Sequence, residues 1–290
     1  MDLRPLGRTG LMVSPLALGT VKLGRNRGLK YPSGDGQPLP SDEQAMALLV
    51  AAADAGINLI DTAPAYGLSE ERLGNLLAAS RWLGGRDRWI VSTKVGEEFD
   101  PATGESRFDF SPRHVRYSVE RSLRRLQTDV LDLVLVHSGG DDEWVIARSG
   151  ALETLRQLQR EGLVRAVGLS PKTLDGALQA MRSASDYGGA CDVVMIEYSP
   201  VARQGGLGID AARLRGVGVL VKKALGSGHL EGVLSRTPPE IRAASLGTVE
   251  AALRFALGKA GVTSVVLGTS NAEHLRANAE ACERALAKPA

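Results

Sequence analysis

Cysteine is scarce in this 290-residue chain: Cys191 and Cys282 stand far apart and outside any CxxC or Cys/His ligand set. A structural zinc module is not indicated and no metal site is expected; a single disulfide is the less favoured alternative for the pair. Both cysteines read as free thiols in a reducing cytoplasm. Charge of one sign is also lacking. The formal net charge is only +2, which argues against nucleic acid or an anionic membrane as the main partner. No uninterrupted apolar run approaches membrane-spanning length, and the opening Met1-Asp2-Leu3-Arg4-Pro5 has no apolar signal core. A cytoplasmic location is the expectation. A GxGxxG turn after the first core strand is missing as well, which counts against a doubly wound dinucleotide-binding fold.

What the chain does have is an alternation. Arg4-Pro5-Leu6 and Leu11-Met12-Val13 flank a turn at Gly7-Arg8-Thr9-Gly10 and predict a small N-terminal hairpin. Apolar runs then end in a polar or small residue, one after another. Leu16-Ala17-Leu18 ends at Gly19-Thr20, Leu59-Ile60 at Asp61, and the run from Trp89 at Lys94. The run from Leu131 ends at His137, that from Val164 at Ser170, and that from Val193 at Glu197. The last two end at Lys222 and Gly268. Helical patterns lie between them; the first opens at Ser41-Asp42-Glu43 as a cap plus acidic first turn, buries Ala45, Leu48, Leu49 and Ala52, and stops at Gly56. Strands this continuously apolar are buried on both faces. Eight such units without a composition break predict an α/β fold, one (β/α)8 TIM barrel over residues 1–290 behind the short hairpin. Residues 22–40 read as a long exposed loop. With the segments 96–110 and 139–149 they are expected to shape a pocket, Phe99, Phe108 and Trp144 being candidate walls.

A barrel gathers its strand C-termini on one face, so Asp61, Tyr66, Lys94 and His137 are expected to converge at one mouth. A phenol is a poor acid or base at neutral pH unless an ammonium favours its phenolate, and a half-buried ammonium needs a carboxylate to stay charged. Tyr66, Lys94 and Asp61 suit those roles in order, and His137 can orient a carbonyl oxygen. Each residue alone also has an ordinary packing or capping role; the joint placement is what points to function. A carbonyl gripped in this way accepts a hydride, and the protein has none, so a nicotinamide cofactor is implied.

At this point the residues resemble the aldo-keto reductases. Asp61-Thr62-Ala63, Tyr66-Gly67, Ser69-Glu70 and Leu73-Gly74 are similar to that family's first signature, and Ser92-Thr93-Lys94 and Leu135-Val136-His137 to its catalytic segments. The resemblance runs from the hairpin to the last helix. It implies Tyr66 as general acid, Lys94 and Asp61 tuning it, His137 positioning the substrate, and reversible reduction of an aldehyde or ketone by NADPH. Gly19-Thr20-Val21, with Asp61, resembles the stretch near the nicotinamide ribose, and Leu225, Gly226 and Gly228 the loop over the pyrophosphate. Gly268, Thr269, Ser270, His274 and Asn278 resemble the adenosine-phosphate segment; Asn271 stands there at a helix start, where an anion or a simple cap would both fit.

The family pattern is broken at three places. Ser170-Pro171 and Glu197 stand where Ser-Asn and Gln usually grip the carboxamide. Lys222 and Lys223 replace the stacking aromatic and its following Ser; Lys222 could meet ribose, phosphate or an acidic substrate group, or pair with Glu197. Lys or Arg is absent at Gly268 and His274, leaving Ser270, His274 and Arg276 for a 2′-phosphate, so NADP(H) is the expectation with NAD(H) as the alternative. Other readings of the chain are a Schiff-base lyase with Lys94 as nucleophile, and a non-catalytic subunit that holds cofactor as a redox sensor. The substrate expected is a small carbonyl compound or sugar; nothing fixes the oligomeric state.

Overall fold

The structure is a computed structural model that describes residues 1–29, 35–182, 191–245 and 247–287. Twelve strands are found among them: β1 Arg4–Pro5, β2 Met12–Val13, β3 Leu16–Gly19, β4 Leu59–Asp61, β5 Ile90–Val95, β6 Glu97–Phe99, β7 Ser106–Phe108, β8 Leu131–His137, β9 Val164–Ser170, β10 Val193–Glu197, β11 Gly218–Lys222 and β12 Ser264–Gly268. Eight of them, β3, β4, β5, β8, β9, β10, β11 and β12, close in that order into a parallel barrel, β12 returning to β3. This is the (β/α)8 architecture that the alternation predicts.

The registers explain why the strand ends share one level. Gly268 pairs with Gly19, Gly19 with Asp61, Asp61 with Ser92, His137 with Ser170, and Glu197 with Lys222. Side chains alternate along each strand. Leu133 and Leu135 point into the barrel with Ala17, Leu59, Ala166, Val193, Met195 and Leu220, whereas Val134 and Val136 face the outer helices. The hairpin β1–β2 completes the inner cluster: Leu6, Leu11 and Val13 are fully buried in it and stop the bottom of the barrel. Gly7 sits there at φ 56, and a Cβ would collide with the backbone of Gly216 and Gly218.

Local signals set the helices. The helix Asp42–Asp54 starts with a reciprocal capping box between Ser41 and Gln44 and buries the expected face. The helix Pro112–Leu126 starts at Ser111, whose side chain accepts from the His114 N–H, with Pro112 in the first turn, and it ends at Gln127 in the left-handed region. Cys191 and Cys282 are free and buried, and burial pushes both thiols up to about 12. Among the described residues no helix is long and apolar enough to cross a membrane.

Three loops carry more order than their composition suggests. Residues 22–40 do not form an exposed loop throughout: Val21–Gly24 is a helical turn, Leu23 and Gly24 are buried, and a Cβ on Gly24 would collide with the backbone of Tyr66 and Ser69. Residues 30–34 of that stretch lie outside the described ones. The segment 96–110 folds into the antiparallel arm β6–β7, and 139–149 holds the helix Asp142–Ala147.

Candidate active site

Asp61 ends β4 and Lys94 lies near the end of the neighbouring β5. Lys94 Nζ donates to both Asp61 oxygens at 2.7 and 2.8 Å and to the Thr62 carbonyl at 2.9 Å. All three hydrogens of the ammonium are thereby used. The two side chains are 1% and 3% exposed, so this ion pair is shielded from water and from salt. Ser92 Oγ donates to Asp61 Oδ1 at 3.2 Å and fixes the carboxylate further.

Tyr66 reaches the pair from a single turn, Pro64–Tyr66, that follows β4. Pro64 presets the backbone at the start of the turn. Gly67 leaves it at φ 63, packed so closely on the Gly24 carbonyl that no Cβ would fit. The Tyr66 hydroxyl points at Asp61 Oδ2, 3.4 Å away, and Lys94 Nζ stands 4.8 Å from the ring centroid. The ring is packed beside Lys94 and His137, and the hydroxyl hydrogen can rotate from Asp61 toward a substrate oxygen.

His137 closes β8 with its ring edge-on to Tyr66, centroids 6.4 Å apart at 89°. Its Nδ1 lies 2.9 Å from Glu97 Oε2. The distance is that of a hydrogen bond, but the approach is oblique enough to miss good N–H alignment. Glu97 itself accepts from Ser106 Oγ at 2.7 Å and lies 3.8 Å from Arg25, whose guanidinium donates to the Ala65 carbonyl and stacks on Phe99. Burial drives His137 down to about 4, with Lys94 and Lys222 adding to the fall and Glu97 opposing it. Burial would raise Glu97, but His137, Ser106 and Lys172 outweigh it and hold the carboxyl at about 2. At neutral pH the pair is thus a neutral imidazole beside a carboxylate. Glu97 and Arg25 escaped the sequence reading; the alternation of residues 97–99 and 106–108 around a turn was the available signal.

The residues expected around a cofactor divide into two groups. Gly19 and Gly268 are register partners at the ends of β3 and β12 and leave that rim bare of side chains. Thr20 is committed to structure, its hydroxyl and N–H both donating to the Asp61 carbonyl, and Val21 opens the short helix beside it. Leu225 precedes a loop in which Gly226, Ser227 and Gly228 all take positive φ; the N–H groups of Gly226 and Gly228 donate within it, to the Lys223 and Leu225 carbonyls. Thr269 is buried; Ser270 and Asn278 are half-buried, while His274 is exposed on the first turn of the helix Ala272–Leu286. Asn271 is the cap of that helix, accepting from the N–H groups of Glu273 and His274.

The second group departs from the expected pairing. Lys222 reaches past β10 and donates to Ser170 Oγ and the Pro171 carbonyl, both at 2.8 Å. Glu197 pairs instead with Lys223 at 2.6 Å, in the open. Glu197 and Lys222 are register partners and share the inward sense of Met195 and Leu220, yet each takes another partner. Burial, then Lys172 and Lys223, lower Lys222 to about 7.

Of the expected walls, Phe99 is taken by Arg25, whereas Phe108 stacks on Phe110 at 6.1 Å and Phe110 meets Trp144 at 6.3 Å. Phe108 and Trp144 remain about half exposed, and Phe108 packs against Gly139, two residues beyond His137. A cavity of about 420 Å³ lined by Arg8, Arg156, Cys191, Asp192 and Gly216 opens at the opposite end of the barrel, away from these groups.

Known proteins match the chain along its length. The model of the Aldo/keto reductase family matches residues 15–289. The L-galactose dehydrogenase of Arabidopsis thaliana is 30% identical over 97% of this chain and 88% of its own. The D-threo-aldose 1-dehydrogenase of a Pseudomonas species is 30% identical over 83% of each. Among solved structures, a Pseudomonas aeruginosa protein described as an aldo-keto reductase superposes with a TM-score of 0.81 at 44% identity, covering 98% of this chain and 96% of that one.

Proposed function

The chain belongs to the aldo/keto reductase family, and from that premise we propose that it moves a hydride between NADP(H) and an aldose or small aldehyde, with Tyr66 as the acid–base group. The observation that carries this reading is the Tyr66 phenol set between the saturated Lys94–Asp61 pair and the neutral His137. In reduction Tyr66 gives its proton to the carbonyl oxygen, and in oxidation the phenolate takes it from the hydroxyl. Lys94 stabilises the phenolate, Asp61 keeps Lys94 charged and aimed, and His137 positions the substrate. The relatives' names favour oxidation at the anomeric carbon of a sugar.

A nicotinamide, when bound, supplies or accepts the hydride. The chain fits such a group. The bare rim at Gly19 and Gly268 suits close approach of a ring, and Gly226 and Gly228, without side chains, suit close approach of a pyrophosphate. Thr20, Val21 and Asp61 border the ribose side; Ser170, Glu197, Lys222 and Lys223 the carboxamide side; Leu225 the bridge. Thr269, Ser270, His274 and Asn278 serve the adenosine end. Lys222 cannot stack as an aromatic does and is assigned to polar contact. A Schiff-base role for Lys94 is disfavoured, because an ammonium donating all three hydrogens to acceptors is held in its non-nucleophilic state.

The test follows nicotinamide absorbance with L-galactose and NADP⁺ or NAD⁺, and with an aromatic aldehyde and NADPH or NADH. Turnover is expected to be faster with the phosphorylated cofactor. Tyr66→Phe is expected to lower kcat by about 10²–10⁴-fold with cofactor binding retained. Tight binding without turnover on any substrate would favour the sensor reading instead.

A further inference from the structure

We infer that Lys222 makes this chain tell the oxidised from the reduced nicotinamide by charge, its ammonium opposing the cationic oxidised ring. The reduced cofactor is then held more tightly, which makes the bound cofactor a stronger oxidant by the same ratio and favours oxidation of the substrate hydroxyl. The inference rests on the reaction proposed above and adds to it a residue that sets its direction.

Placement comes first. Lys222 ends β11 with the inward sense of Leu220, and β11 borders β12, whose end at Gly268 lies bare beside Gly19. A ring that exchanges a hydride with the carbon beside Tyr66 must lie in this mouth. The Lys222 ammonium is fixed in the same space by Ser170 Oγ and the Pro171 carbonyl, both at 2.8 Å, and neither acceptor carries charge. Its charge is felt by Lys94 and by His137 on the Tyr66 side. A cationic ring between these groups meets it as well.

The charges that face Lys222 do not cancel its own. Asp61 is taken by Lys94, and Glu197 by Lys223. Lys172 adds positive charge, while Glu97 is turned to His137 and Arg25. His137, at about 4, is neutral near pH 7. Burial, with Lys172 and Lys223, holds Lys222 at about 7, so it can release its proton at little cost. The oxidised ring then binds to the unprotonated fraction, roughly one-tenth of the protein at pH 6 and nearly all of it at pH 9. The reduced ring is neutral and draws on both fractions.

Calorimetric titration of the whole protein with NADP⁺ and with NADPH tests this without turnover. The ratio of their Kd values, oxidised over reduced, is expected to fall about tenfold from pH 6 to pH 9. At pH 7, in two buffers of different ionisation heat, NADP⁺ should release about half a proton more than NADPH. The 2′-phosphate is common to both forms and drops out of the difference. Lys222→Met should abolish the pH dependence of the ratio and the extra proton. Lys222→Arg, which cannot lose its charge, should keep the preference for NADPH at pH 9. A wild-type ratio that does not move with pH would overturn the inference. So would equal weakening of both forms in Lys222→Met, the mark of a lysine that holds phosphate or ribose. If neither form binds, the proposed reaction is overturned too; if both bind alike with no difference in proton release, this inference alone is.

Discussion

Lys94 and Lys222 both reach into the mouth of the same barrel, and their surroundings differ. Lys94 meets both oxygens of Asp61 and the Thr62 carbonyl in a site closed to water. Lys222 has a hydroxyl and a carbonyl, with Lys172 and Lys223 nearby and Glu197 turned to Lys223. Matched charge makes the first side rigid before any ligand arrives. The second side carries positive charge without a bonded carboxylate, and its contacts with neutral acceptors can be exchanged for those of a ligand.

The contrast can be broken most severely on the matched side. Lys94→Ala leaves Asp61 charged and alone in the interior, and a loss of about 3–5 kcal/mol in urea unfolding is expected. A loss below 1 kcal/mol would show that water reaches Asp61 freely. On the other side the sign reverses. Lys222→Met is expected to raise stability by about 1 kcal/mol at pH 7. The folded value of Lys222, about 7, lies below the ordinary 10.5, so the unfolded chain holds that proton more tightly. The advantage of Lys222→Met therefore grows as pH falls from 10.5 to 7 and levels off below. An advantage that grew with rising pH would contradict the unmatched charge.

Acid sharpens the comparison further. His137 protonates at about 4 when folded against an ordinary 6.5. Its neutral form contributes fully above pH 6.5, and that contribution is lost as pH falls toward 4. Wild type should accordingly lose more stability between pH 7 and 4 than His137→Asn, measured by urea titration at each pH. Glu97 adds a loss in the same direction at lower pH, between the ordinary 4.5 and about 2. The smallest effect is expected from Glu197→Gln: the pair with Lys223 is half exposed, and its removal should cost less than about 1 kcal/mol.

Sequence made the strand ends legible because each buried run stops at a residue that cannot stay buried without a partner. Asp61, Lys94 and His137 announce themselves in that way, and Tyr66 follows from the turn after Asp61. Glu97 does not, since its partner is on another strand and its own arm has the polarity of a loop. Lys222 shows the limit in a different form. Register places it beside Glu197 on the same face, yet a long flexible side chain can pass its neighbour, and Lys222 reaches Ser170 instead. Asn271 was legible as a helix start, but only its bonds to Glu273 and His274 identify it as the cap.

The closure of the barrel also sets a timetable. β3 must wait for β12, the last strand made, and Leu16 pairs with Val265 across nearly the whole chain. The hairpin that stops the bottom has its apolar partners on strands spread from β3 to β11. On a ribosome the opening residues therefore emerge long before the surfaces that cover them exist. Contacts so distant in sequence make for slow folding, with apolar strand edges exposed meanwhile. The two ends of the chain, neither of them near the chemistry in sequence, decide when the mouth of the barrel first exists as a site.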